Sequence, residues 1–62
     1  MALQFLKGSG GDVVVVETSN NQVVASLTTA GTLSADRYRL DLLSKMKGSG
    51  ESVQDFMKRS AK

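Results

Sequence analysis

A chain of 62 residues with no Cys and no His has no disulfide, thiolate ligand or imidazole. Nucleophilic and acid/base catalysis lose their usual base, so no enzyme activity, metal or cofactor is expected, and no small-molecule substrate. Eight basic against six acidic residues leave a net charge of +2, which permits contact with nucleic acid without demanding it.

One small domain spanning residues 1–62 is expected. Domains of this size usually need a disulfide, a metal or a partner subunit. The first two are excluded, so a homodimer is expected. The longest apolar run, Val13–Val16, is far too short to cross a membrane. The first seven residues show no basic segment followed by an apolar stretch. No signal peptide or membrane partner is therefore expected, and the default location is cytoplasmic.

Residues 1–11 read as an N-terminal arm or edge strand, Leu3–Leu6, followed by a glycine-rich break, Lys7–Gly11. Residues 12–28 read as a β-hairpin. In Asp12–Thr18, consecutive β-branched residues favour a pleated strand and put apolar side chains on both faces, so both faces want cover. Ser19-Asn20-Asn21 suits the corner, because Asn tolerates positive φ. Gln22–Thr28 alternates, with Val23, Ala25 and Leu27 on one side and Gln22, Val24, Ser26 and Thr28 on the other. Thr29–Thr32 is a loop.

Residues 34–61 read as a helical hairpin. Ser34 is the expected cap of a first helix running to about Lys47, with Asp36 in its first turn. Its apolar stripe is Tyr38, Leu42 and Met46, widened by Leu40 and Leu43, with Arg39 intruding. Gly48-Ser49-Gly50 ends it. Ser52 caps a second helix, Val53–Ala61, whose apolar side carries Val53, Phe56 and Met57. The expected fold class is α+β: short N-terminal strands followed by two helices, dimeric.

Two Lys-Gly-Ser-Gly stretches, starting at Lys7 and Lys47, are turn chemistry or weak phosphate cradles; the second leads into a helix N-terminus. Paired carboxylates offer no catalytic alternative. Asp36 and Asp41 fall on different helix faces, and Glu51 and Asp55 are better read as first-turn acids.

The segment from about Gln22 to Ala61 resembles the ribbon-helix-helix DNA-binding repressor family. An alternating strand is followed by Leu40-Asp41-Leu42-Leu43, the turn Gly50-Glu51-Ser52, and apolar residues resuming at Val53, Phe56 and Met57. The resemblance implies a dimer whose paired strands enter the major groove of double-stranded DNA. Gln22, Ser26 and Thr28 would then contact bases. Gly50, Ser52 and Val53, with Lys47, Arg37 and Arg39, would contact phosphates. The implied function is transcription regulation.

The alternative is a small homodimeric protein-interaction module, an accessory factor without nucleic-acid binding, that dimerises through the valine strand or lends an edge to a protein partner. A third reading is a structural subunit assembling through strand edges. The first two differ in one pairing: Gln22–Thr28 meets its own copy in the ribbon, and Asp12–Thr18 in the hairpin.

Overall fold

The computed structural model describes residues 2–62; residue 1, the first of the expected arm, lies outside them. The order is β1 (Leu3–Lys7), β2 (Val13–Glu17), β3 (Gln22–Leu27), β4 (Leu33–Ala35), α1 (Arg37–Met46) and α2 (Val53–Ser60). The class is α+β. The strands form one antiparallel sheet in sequence order, each beside its neighbour in the chain.

The hairpin corner forms where the asparagines stand. Asn21 takes a left-handed φ of 58°, and the Asn20 Oδ1 accepts from the Gln22 N–H at 3.1 Å. This is the local bonding that suits Asn to turns.

Both helices lie on the same face of the sheet, α1 against β3 and α2 against β1. The core between the layers is built from Val13, Val15, Ala25, Leu27, Leu43, Phe56 and Met57. Leu3, Phe5, Leu33, Ala35 and Val53 pack around it. Phe5 and Phe56 meet edge to face at 5.4 Å and tie β1 to α2, the geometry that aromatic quadrupoles favour.

Three expectations need correction. Ser34 caps no helix. It lies in β4, and Asp36 is the cap, its Oδ1 accepting from the Arg39 N–H at 2.7 Å. The strict alternation of β3 also fails. β3 carries one extra residue, Val24, opposite the Val15–Val16 step of β2, and this bulge shifts the register so that Val23 pairs with Val16 and stands 61% exposed. Ala25 and Leu27 remain inside. One unpaired residue reverses the facing of everything beyond it.

The third correction concerns α1. Leu43 is its buried residue, and Arg39 and Leu42 are half-buried beside it. Tyr38 and Met46, expected at the centre of the stripe, are exposed at 57% and 45%. α2 matches its expectation closely: Ser52 caps it, accepting from the Asp55 N–H at 3.0 Å, and Phe56 and Met57 are buried.

Candidate interaction surface

The helices leave the opposite face of the sheet uncovered. The cross-strand register places Leu6, Val14, Ser26 and Ser34 in one row on that face. Gln4, Val16 and Val23 form the adjacent row. Paired residues share a face, and these alternate with the core residues Phe5, Val13, Val15, Ala25 and Leu27. None of the seven is charged.

Four aliphatic side chains, Leu6, Val14, Val16 and Val23, run diagonally from β1 to β3 across this face. Gln4 flanks the diagonal on one side, and Ser26 and Ser34 flank it on the other. Leu6 is 36% and Val23 61% exposed, whereas Val14 and Val16 are half-buried by their neighbours. The valine run carried the signal for this surface, since alternate residues of Val13–Val16 face opposite ways. Leu6 and Val23 carried none: the first sits in a short strand of mixed character, and the second is turned outward by the bulge.

The residues expected to read bases are divided. Ser26 lies on the open face, and Thr28 follows β3, its hydroxyl oxygen accepting from the Thr32 N–H at 2.9 Å. Gln22 pairs in register with Glu17, on the helix-covered side, and accepts from the Asn20 side-chain amide at 3.3 Å. β3 has β2 on one edge and β4 along Ala25–Leu27 of the other. A symmetric ribbon needs a free edge along this strand.

The residues expected at phosphates fall at opposite ends of α1. Arg37 and Arg39 stand in its first turn, and Arg39 pairs with Asp36 at 3.3 Å. Arg39 also lies over the Tyr38 ring, 5.3 Å from its centroid. Lys47 follows the last turn, its backbone N–H donating to the Leu43 carbonyl. Gly50, Ser52 and Val53 lead into α2, beyond the far end of α1, which is itself about 15 Å long. Gly50 has a φ of +85°.

A carboxylate of the chain itself sits in that connection. Glu51 Oε1 accepts from the Gly48 N–H at 2.6 Å and from Arg59 Nη2 at 2.8 Å, and Oε2 accepts from Arg59 Nε at 2.9 Å. The Arg59 bonds, followed by the Gly48 amide, hold the Glu51 carboxyl at about 2, from an ordinary 4.5. Arg59 in turn lies over the Phe56 ring at 5.1 Å. In the first Lys-Gly-Ser-Gly stretch an acid also folds back, and a Cβ at Gly8 would collide with the Asp12 carboxylate. Both loops place a side-chain carboxylate where their sequence would allow a phosphate.

Glu17 is the buried acid. Its Oε1 accepts from the Ser19 hydroxyl at 2.8 Å and from the Ala2 N–H at 3.3 Å, pinning the start of β1 to the end of β2. The Ser19 bond pulls its titration below the ordinary range, against the opposing effect of burial.

No protein-family model matches this chain, and comparison with curated proteins and with solved structures finds no match.

Among the described residues, no group of three or more potential ligands is placed to hold a metal ion. No helix among them is long and apolar enough to cross a membrane. What the arrangement offers chemically is contact: an uncharged, partly aliphatic sheet face.

Proposed function

We propose that this chain is a protein-interaction module that presents its helix-free sheet face to a protein surface. The observation that carries this reading is the Leu6–Val14–Val16–Val23 diagonal, left in water by a fold whose helices both pack on the other side. Contiguous apolar area on a small protein marks a contact surface more often than isolated exposed residues do. The lack of charge across the face favours a protein over a polyanion, because binding to nucleic acid draws chiefly on Lys and Arg at phosphates.

Two further observations support the reading over a DNA-binding ribbon. The strand that would form the ribbon has β2 along one edge and β4 along Ala25–Leu27 of the other. The amide of Gly48 and the guanidinium of Arg59, groups suited to a phosphate, are bonded to Glu51.

The test places a photo-reactive phenylalanine analogue at Val23 in the native host, with Arg37 as a control position. A protein adduct formed from position 23 and not from position 37 supports the reading. Absence of any protein adduct at position 23 defeats it. Retention of duplex DNA in a gel shift at low salt, lost at high salt, would return the assignment to nucleic-acid binding.

A further inference from the structure

We infer that the occupant of the open sheet face is a second copy of this chain, docked face to face about a twofold axis lying along the aliphatic diagonal. The inference rests on the interaction reading above and names its partner.

Self-complementarity carries the argument. In a twofold interface each patch meets its own copy, so it must match itself. A patch carrying charge of one sign would repel its copy; none of the seven outward residues is charged, and Asp36, at the β4 border of the face, is paired with Arg39. A rotation about the diagonal sets Leu6 against Leu6 and Val23 against Val23, with Val14 of one copy against Val16 of the other. The same rotation carries Gln4 across the diagonal to face Ser26 of the second copy. A long amide then lies opposite a short hydroxyl, which fills the space and gives both groups a hydrogen-bond partner. A twofold perpendicular to the diagonal sets Gln4 against Gln4 and serine against serine. It crowds one corner and leaves the other empty. Two such sheets pack about 10 Å apart with interdigitating side chains.

The area sets the strength. A face of two side-chain rows, four strands wide in one and three in the other, hides on the order of 400 Å² per copy at most, about half that of a standard stable interface. Each copy also has its own core, from Val13 to Met57. The result is a reversible dimer of folded monomers, with dissociation in the micromolar range or weaker.

Sedimentation equilibrium of the full chain, from micromolar to millimolar, reads the association. A monomer–dimer equilibrium is expected, weakened at least tenfold by Val23→Lys or Leu6→Lys. Both positions are exposed, and an unchanged circular dichroism melt establishes that each variant folds. Geometry is read by mixing Gln4→Cys and Ser26→Cys chains with a bismaleimide of about 10 Å reach. Mixed cross-links in excess of self cross-links support the proposed axis, and predominant self cross-links at Gln4→Cys overturn it. A monomer at millimolar concentration, or an open-ended assembly, overturns the inference. If position 23 still yields an adduct with a different protein in the host, the interaction reading survives and only its occupant changes.

Discussion

The Arg59 guanidinium reaches back along α2 to close on the Glu51 carboxylate, with Nε at 2.9 Å from one oxygen and Nη2 at 2.8 Å from the other. The same carboxylate takes the Gly48 amide. One side chain thus ties the last turn of α2 to the connection that precedes it.

Stability is expected to depend on pH through this clasp. Folding depresses the Glu51 carboxyl from 4.5 to about 2. A depressed acid contributes stability that is fully present above its unfolded value and lost as pH falls through the folded one. Thermal melts should therefore fall as pH drops from 4.5 toward about 2. Glu17 is shifted in the same direction, so the part due to Glu51 is the difference between the native chain and Glu51→Gln. Identical acid slopes for the two would contradict the clasp.

Leu43 is 1% exposed and is the buried residue of α1. Leu43→Ala is expected to cost about 2–5 kcal/mol in urea unfolding, through lost burial and the cavity left behind. Met46→Ala, at a position 45% exposed, should stay within about 1 kcal/mol. The reverse order would restore the Tyr38–Leu42–Met46 stripe as the inner face.

The cap of α1 can be assigned by substitution. Asp36→Ala removes the acceptor for the Arg39 N–H and should cost about 0.5–2 kcal/mol. Ser34→Ala, on the open face of β4, should change stability by less than about 0.5 kcal/mol. A larger loss at Ser34 than at Asp36 would place the helix start two residues earlier.

Gly50 has a φ of +85°, with open space where a Cβ would project. Gly50→Ala should cost about 1 kcal/mol from backbone strain alone. An unchanged unfolding midpoint would mean that the connection relaxes to another path.

The hairpin and α2 were legible because each had a strong local cause. Four β-branched residues demand a strand, two asparagines make the corner, and Ser52 stands directly before a clean apolar stripe. β4 was not legible. Leu33-Ser34-Ala35 is too short to show a period, and Ser34 with Asp36 imitates a helix start. The inner face of α1 is hidden from hydrophobic periodicity because Arg39 occupies it with a half-buried stem, which the pattern counts as an interruption. The bulge at Val24 has no signature in Gln22–Leu27, since a valine between two small or β-branched residues looks like any other strand position. The open face suffered most from this. Its valines were visible as residues needing cover on two sides, but Val23 and Leu6 joined them only through cross-strand register.

The sheet's neighbour-to-neighbour order has a kinetic consequence. Each strand closes against the one just made, through connections of only a few residues, so chain-closure entropy is small at every step. The exception is the meeting of the two ends, where the Lys62 carbonyl accepts from the Lys7 N–H at 3.3 Å and Phe56 sits against Phe5. Refolding should accordingly zip quickly through the central hairpin and finish by docking α2 on β1. Amide exchange should reopen that last seam first.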